Sequence, residues 1–308
     1  MSDPGPRKLS VGQMAQLACV LEVMAPKAGN VHPGAAFDDT TWLDFVTSAM
    51  AIRPILDKAG ELGVGATVLA CVKATREAVG RNTNLGIVLL FSPLCAADPR
   101  RPTLPRDALE RDVQGVLKNL TPSDAADVYE AIRIAAPGGL GSVQRQDVRT
   151  RPTVTLVEAM RLAAHRDTIA RQYVNGFHDV LHVGACAFAL PTVVPLDRAI
   201  VTAHLKRMAD EPDSLIQRKC GPAEAVEAHH RAKAVLNAGW PDTPDSQALF
   251  DDLDNWLREG GRRRNRRNRR NPGTSADLVA AALLTALRCG WVRPPFQWSQ
   301  PLSSPSCA

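Results

Sequence analysis

Three short loops of this 308-residue chain hold the polar residues that could bind a phosphate or a ribose. The stretch "APKAGNVHPG" (25–34) supplies a lysine, which binds phosphate as a mobile point charge. The stretches "GRNTNLG" (80–86) and "NRRNPGTSADL" (268–278) precede helical patterns, and a helix N-terminus offers free N–H groups and partial positive charge. The candidate phosphate- and ribose-binding residues are therefore Lys27, Asn30, His32, Asn82, Thr83, Asn84, Gly86, Asn271, Gly273, Thr274, Ser275 and Asp277.

Each loop, considered alone, also fits a purely structural role. Asn82, Thr83 and Ser275 are ordinary helix-capping residues. Pro26 and Pro33 stiffen the first loop, as they would in a simple connector between helices. Taken one at a time, the loops favour this structural interpretation, so the functional one depends on their occurring together.

The elements that must position these loops are helices. Met14, Leu17, Ala18, Leu21 and Met24 follow the i, i+3, i+4, i+7 spacing of an amphipathic helix. No sustained period-2 alternation and no hairpin dipeptide is present, which argues against strands. Further helices are predicted at about 41–59, 64–79, 121–135, 155–190, 221–239 and 275–290, with another after residue 86 that Pro93 should bend or end.

Composition favours one soluble all-α domain. Alanine and leucine are abundant, and both lose little on entering a helix. No apolar run approaches the roughly 20 residues of a membrane span, and the N-terminus lacks the apolar core of a signal peptide. The seven cysteines are scattered without a C-x-x-C spacing, so we expect reduced thiols and a cytoplasmic protein.

The domain boundaries follow from the same pattern. We predict an N-terminal tail at 1–8, a helical domain at 9–290 and an irregular C-terminal tail at 291–308. The domain contains an arginine-rich loop insertion at 258–272. The formal net charge is +5, but seven arginines lie in "GRRRNRRNRR" (261–270), so the remainder is slightly acidic.

Two features suggest other functions. The arginine run could bind nucleic acid through phosphate neutralisation, as in a non-catalytic helical binding protein, but it has no interleaved aromatic residues for base stacking. His178 and His182 have the i, i+4 spacing of metal ligands, but Asp179 stands where a metalloprotease motif has glutamate, and no third ligand is evident. Nucleic acid is therefore the weaker prediction for the arginine run, and no metal ligand is assigned.

Four ordered stretches together resemble a known family. They are "LEVMAPKAGNVHPGAAFDDTTWLDFVTSAMAIRPIL", "NTNLGIVLLFSPLCAA", "GGLGSVQRQDVRTRPTVTLVEAMRLAAHRDTIARQY" and "NPGTSADLVAAALLTAL". The chain is similar to the triphosphoribosyl-dephospho-CoA synthases from about Leu9 to Arg288, as a divergent member. The resemblance implies an all-α fold whose polar loops converge on one cleft.

The resemblance also implies a reaction. The family transfers the 5-triphosphoribosyl group of ATP to the 2′-hydroxyl of 3′-dephospho-CoA and releases adenine, with Mg²⁺ accompanying the triphosphate. Breaking an N-glycosidic bond builds positive charge on the ribose, which a carboxylate could stabilise while another takes the hydroxyl proton. The candidate catalytic carboxylates in the matching segments are Asp38, Asp39, Asp147 and Asp167, with Asp277 as a further one; the base and the metal ligand are not assigned among them.

The chain departs from the family pattern at three places. It has "PKAG" where the type enzymes have "PKPG", and Asn84 and Leu85 where they have a histidine and a lysine. Gln144 and Gln146 lie in a stretch that is acidic in the type enzymes. A related ribosyl or phosphoribosyl transfer to another coenzyme precursor, such as a tetrahydromethanopterin-type C1 carrier, is therefore the alternative acceptor chemistry.

Overall fold

The chain folds as an all-α domain, as predicted. The computed structural model describes residues 9–137, 148, 150–189, 194–259 and 270–299. Within these residues no β-strand forms, and the only β-pairing consists of two isolated bridges in the 32–40 loop. The helices are α1 Val11–Met24, α2 Trp42–Leu56, α3 Ala59–Leu62, α4 Val64–Val79, α5 Leu85–Ala96, α6 Arg106–Lys118, α7 Pro122–Ala135, α8 Leu156–Ala163, α9 Thr168–Asn175, a π-helix Asp179–Gly184, α10 Leu196–Asp210, α11 Ser214–Cys220, α12 Pro222–Asn237, α13 Pro244–Glu259 and α14 Gly273–Arg288.

Helix α14 is the centre of the fold. All of its residues except Gly273 and Asp277 are buried. It packs against α1, α5, α10 and the π-helix, while α1, α2, α4 and α7 pack successively beside it. Its central stretch, "LVAAALL" (278–284), is apolar on every face, as expected of a helix surrounded by other helices.

Local signals explain where most helices begin. Ser10 and Gln13 form a capping box at the start of α1, and Thr121 with Asp124 forms another at α7. Asp167 caps α9 by accepting hydrogen bonds from two backbone N–H groups. These caps satisfy the free N–H groups of the first turn, so the helix starts are fixed by side chains near in sequence.

Two helical predictions are refined by the structure. Pro93 neither ends α5 nor marks its boundary, because the helix continues three residues further to Ala96. The stretch 155–190 divides into α8, α9 and the π-helix, since Asp167 starts a new helix and Gly176 ends it in a left-handed conformation.

At its C-terminal end, α14 is fixed by a buried arginine. The guanidinium of Arg288 is fully buried and makes no ion pair with a described carboxylate; it donates instead to backbone carbonyl groups in the segment that follows α5. The acceptors are the carbonyl oxygens of Leu94 (2.5 Å), Ala97 (2.7 Å), Asp98 (3.1 Å), Arg101 (2.9 Å) and Pro102 (3.1 Å). All five donors of the guanidinium therefore have an acceptor.

No helix among the described residues is long and apolar enough to cross a membrane. The predicted N-terminal tail (1–8) lies outside the described residues, as do residues 300–308 of the predicted C-terminal tail (291–308) and residues 260–269 of the predicted insertion (258–272). The predicted domain boundaries therefore stay predictions. Arg270, at the end of the insertion, stacks over Trp256 at 4.2 Å and pairs with Glu224 at 2.5 Å.

Candidate active site

A cleft of about 1250 Å³ opens where the predicted polar loops meet. Its wall is built from the loops around residues 30–40 and 80–86, from α7 and α8, and from the starts of α9 and α14. Pockets for a single small ligand usually enclose about 300–1,000 Å³. The cleft is therefore large enough for two extended substrates.

Three helix N-termini point into this cleft. Leu85 and Gly86 at the start of α5, Ile169 in the first turn of α9, and Gly273 and Thr274 at the start of α14 all line it. Side chains already cap part of each first turn, because Asn82, Asp167 and Asp213 accept from backbone N–H groups of α5, α9 and α14. Each N-terminus still carries about half a unit of positive charge. Their convergence on one cavity makes an anion-binding site of the kind that suits a polyphosphate.

Basic side chains surround the same region. The cleft is lined by Arg76, Arg81, Arg166, Arg218 and Lys219. Of these, Arg218 lies 3.3 Å from the carboxylate of Asp167, and Arg81 donates to the Thr40 hydroxyl at 3.4 Å. These cations add to the field of the helix N-termini, so the cleft favours a multiply charged anion.

A carboxylate lies at the base of the cleft without a partner. Asp277 is in the second turn of α14, and among the described residues no side chain or N–H group pairs with it. Burial, together with the nearby charge of Glu22, raises the pKa of Asp277 well above its ordinary value. The carboxylate therefore carries an electrostatic cost that a bound cation or proton would remove.

Gly86 makes room for this carboxylate. A Cβ atom at position 86 would lie 1.9 Å from Oδ2 of Asp277 and 2.8 Å from Cδ1 of Ile169. The absence of a side chain at the start of α5 thus lets α14 bring Asp277 to the cleft.

The polar residues of the loop at 80–86 are held by hydrogen bonds to their neighbours. The Asn82 side chain accepts from the Leu85 N–H at 3.1 Å, which caps α5. Asn84 accepts from the Thr75 hydroxyl at 3.1 Å, while its Nδ2 atom is buried without a partner among the described residues. The unpaired amide lies at the cleft wall, where a ligand oxygen could accept from it.

Asn30 and Asn271 line the cleft from the other two loops. The Asn30 amide contacts His204 Nε2 at 3.0 Å and donates to the Ala28 carbonyl at 3.3 Å. Burial and the charge of Lys27 lower the pKa of His204 to about 3, so its ring is neutral. In Asn271 the side-chain oxygen is buried without a described partner.

Most predicted site residues meet in the cleft, and the rest do not line it. Those in the wall are Asn30, Asp39, Asn82, Thr83, Asn84, Gly86, Asp167, Asn271, Gly273, Thr274 and Asp277. Lys27, His32, Asp38 and Ser275 lie elsewhere, and Asp147 is outside the described residues.

Contacts within the protein account for the residues outside the wall. Ser275 is buried and donates to Asp213 through both its N–H and its hydroxyl, at 2.8 Å each. His32 accepts from the Gly34 N–H at 3.1 Å, and burial lowers the pKa of its ring to about 4. Lys27 is buried against Glu22. The chemical roles predicted for these residues stay predictions.

Sequence analysis missed the cleft's acidic residue Glu22 and the cations Arg166, Arg218 and Lys219. One signal was available for Glu22, because it lies on the same face of α1 as buried Ala15, Ala18 and Cys19. A carboxylate on the core face of an amphipathic helix is rare unless it is paired. No comparable local signal marks Arg218, which depends on the approach of α11 to α9.

The histidine pair at the start of the π-helix, with His178 at its N-cap and His182 within it, does not line the cleft. The rings of His178 and His182 stack at 4.9 Å, and His182 Nε2 lies 3.0 Å from Glu110. Among the described residues, no group of three or more His, Cys, Asp or Glu side chains is arranged to hold a metal ion.

Comparisons with known proteins agree on one family. The sequence model described as ATP:dephospho-CoA triphosphoribosyl transferase matches residues 8–294. Among solved structures, one provisionally assigned as a triphosphoribosyl-dephospho-CoA synthase from Archaeoglobus fulgidus is similar at a TM-score of 0.61 and 23% identity, over 80% of this chain and 99% of that one. No curated protein matches significantly. Because the family model covers nearly the whole chain, this protein belongs to the ATP:dephospho-CoA triphosphoribosyl transferase family and is a transferase enzyme.

Proposed function

We propose that this chain binds ATP and 3′-dephospho-CoA together in the cleft and transfers the 5-triphosphoribosyl group to the 2′-hydroxyl, releasing adenine. The observation that carries the proposal is the meeting of three helix N-termini, five basic side chains and an unpartnered carboxylate in one cavity. Family membership supplies the reaction, and the cleft supplies groups that match its charges.

The triphosphate is the part of the substrates that best fits the helix N-termini. A triphosphate carries up to four negative charges, and the positive ends of the α5, α9 and α14 helix dipoles meet at this end of the cleft. Arg81 and Arg218 stand at the same wall and bind phosphate oxygens through their planar guanidinium groups. We therefore assign the α5–α9–α14 end of the cleft to the donor.

The remaining volume is available to the acceptor. An apolar wall of Ile132, Leu156 and Met160 from α7 and α8 faces the cleft. Dephospho-CoA combines a diphosphate with a long, weakly polar arm, so it needs both basic and apolar contacts. A cavity of about 1250 Å³ accommodates it beside a nucleotide, whereas a nucleotide alone would leave much of it filled with water.

In this site Mg²⁺ would be bound mainly by the oxygens of the triphosphate. A magnesium ion bound to phosphates takes only one or two protein carboxylates, so no cluster of three is needed. Asp277 would hold it, because its carboxylate lines the cleft and has no partner among the described residues. When bound, the ion would neutralise phosphate charge and align the donor.

We also infer that the reaction takes place in the cytoplasm, where ATP is plentiful. Cys19, Cys71 and Cys95 are buried thiols that form no disulfide, which suits a reducing compartment.

The test is to incubate the purified protein with ATP, Mg²⁺ and dephospho-CoA and measure free adenine and product mass. We expect adenine and triphosphoribosylated product in equal amounts, with ADP not formed. Arg81→Met should raise the KM for ATP at least about tenfold, since a charged phosphate contact contributes about 1.5–3 kcal/mol. Arg161→Met, at an exposed arginine outside the cleft wall, is the matched control and should leave KM unchanged.

Absence of adenine release with every acceptor would overturn the proposal. Adenine release with another hydroxyl-bearing coenzyme precursor, such as that of a tetrahydromethanopterin-type carrier, but not with dephospho-CoA, would contradict the acceptor alone.

A further inference from the structure

Glu22 and Lys27 form an ion pair whose acidic member reaches the cleft and whose basic member does not. Lys27 Nζ lies 2.9 Å from Glu22 Oε1, and the two side chains are 0% and 6% exposed. Glu22 lines the cleft, whereas Lys27 lies behind it. The pair is thus a buried dipole with its negative end at the cleft surface.

All three N–H donors of Lys27 are already engaged. Besides the Glu22 carboxylate, its ammonium group donates to the Glu22 carbonyl and, at 3.3 Å, to the Ala25 carbonyl. An ammonium group has three donors, so none is left for a phosphate. The lysine therefore serves Glu22 rather than a ligand.

The position of Glu22 does not favour the stability of the fold. It is buried, it lies in the last turn of α1 where the helix dipole disfavours a negative charge, and it faces Asp277. A buried ion pair contributes little or nothing compared with apolar residues of the same volume. Its second carboxylate oxygen has no partner among the described residues, although the first is held by Lys27.

We propose that Glu22 is a catalytic carboxylate that stabilises positive charge on the ribose of the donor, and that Lys27 is the positioning residue that orients it. This inference rests on the proposed function and names a residue that performs it. The pairing with Lys27 holds one carboxylate oxygen of Glu22 at 2.9 Å, while the side chain lines the cleft.

The transfer step balances without further reactants. The bond between C1′ of the ribose and N9 of adenine breaks, and its electron pair stays on adenine. The 2′-oxygen of the acceptor forms the new bond to C1′, and the hydroxyl proton ends on adenine. Glu22 accepts no proton in this step; its negative charge lowers the energy of the positively charged ribose between bond breaking and bond making.

The experiment compares Glu22→Gln, Lys27→Met and the double variant with the wild type, measuring kcat for adenine release, the Kd for MgATP and the Tm. We expect Glu22→Gln to lower kcat about 100-fold or more, as for other lost transition-state charges, with Kd within about threefold of the wild type. Lys27→Met should also lower kcat without weakening MgATP binding. Arg81→Met, which removes a cleft cation, is the control that shows the binding assay responds.

The double variant separates catalysis from stability. Each single substitution leaves a buried partner unpaired and should lower the Tm by roughly 5–10 °C. Removing both charges should restore much of the Tm, but kcat should stay as low as in Glu22→Gln. Recovery of kcat together with the Tm would show that the pair is only structural and would overturn the inference.

Two other outcomes also decide the matter. A tenfold or larger rise in Kd for Lys27→Met with kcat unchanged would make Lys27 a phosphate contact and overturn its positioning role. Failure of the wild type to release adenine would instead contradict the proposed function, and it is recognised because the wild type is measured in the same series.

Discussion

The polar groups at the two ends of helix α14 differ in how completely they are hydrogen-bonded. At the C-terminal end, the five donors of Arg288 all have backbone carbonyl acceptors, and the side chain is fully buried. At the N-terminal end, Asp277 has no partner among the described residues, and Gly273 and Thr274 line the cleft. The difference teaches that complete satisfaction marks a stabilising site, whereas incomplete satisfaction marks a place prepared for a ligand.

The largest effect on stability should come from the C-terminal end of α14, where every donor of Arg288 has an acceptor. Arg288→Met removes five hydrogen-bond donors, two of them in buried hydrogen bonds to Leu94 and Ala97, and should lower the free energy of unfolding by about 3–5 kcal/mol. Urea unfolding measures this, with Arg161→Met as a control at an exposed position. Arg288→Lys, with three donors, should fall between the two. A loss under about 1 kcal/mol in Arg288→Met would remove the distinction between the ends.

Asp277→Asn should lower the activity and leave the stability intact, the reverse of Arg288→Met. We expect adenine release to slow about 100-fold, equivalent to about 2.7 kcal/mol in the barrier, with no loss of stability. Because the folded-state pKa of Asp277 is raised, its stability contribution is present at low pH and is lost as pH rises toward that pKa.

The stability gained by Asp277→Asn should therefore grow from pH 4 upward and vanish below it. Urea unfolding at several pH values measures the difference between the variant and the wild type. A variant less stable than the wild type at pH 8 would show that Asp277 has a structural role after all.

Gly86→Ala tests whether the N-terminal end of α14 depends on the space that Gly86 leaves for Asp277. The new Cβ would collide with the Asp277 carboxylate, so the side chain must move and α5 and α14 must separate slightly. We expect a loss of about 1–3 kcal/mol in stability together with a fall in kcat. Gly115→Ala, in α6 with open space around it, is the matched control and should lose neither. Full activity in Gly86→Ala would show that Asp277 need not hold its position.

Of the two ends of α14, only the N-terminal one should respond to a lower pH. The loss of stability should be smaller than the effects of the substitutions above. His204 contacts Asn30 beside the start of α14, and its pKa is lowered to about 3. Its folded state binds fewer protons than the unfolded state, so stability is present above pH 6.5 and is lost as pH falls toward 3.

Between pH 6.5 and 5.5 this single group should cost about 1 kcal/mol, because each pH unit contributes at most about 1.4 kcal/mol. Unfolding curves of wild type and His204→Gln should converge by that amount over this interval. Parallel curves would show that His204 is not held neutral. Arg288 has no titration in this range, so the other end should not respond.

Local sequence was enough for the helices and not for the site. Spacing of apolar residues predicted α1 and α4 closely, because each helix buries one stripe that its own sequence contains. Periodicity could not show that the starts of α5, α9 and α14 meet, since that depends on packing between distant segments. The resemblance to a family supplied this convergence.

The site residues illustrate the same limit. Lys27 has the right type for a phosphate contact, but only the fold shows that its three donors are occupied. Arg218 has no local mark, and it enters the cleft because α11 packs near Asp167. The sequence shows which donors and acceptors a side chain carries. Tertiary contacts decide which of them are already paired within the protein.

The arginine at the end of α14 has an electrical consequence for the cleft. Helices α5 and α14 lie side by side in the same direction, since Gly86 meets Asp277 at one end and Arg288 reaches Leu94 and Ala97 at the other. Two parallel macrodipoles repel each other, and a cation at their shared negative pole offsets that repulsion. The positive poles lie roughly 18–24 Å away along the helices. Asn82 and Asp213 cap only part of their first turns, so the helix pair stays polarised toward an anion that enters the cleft.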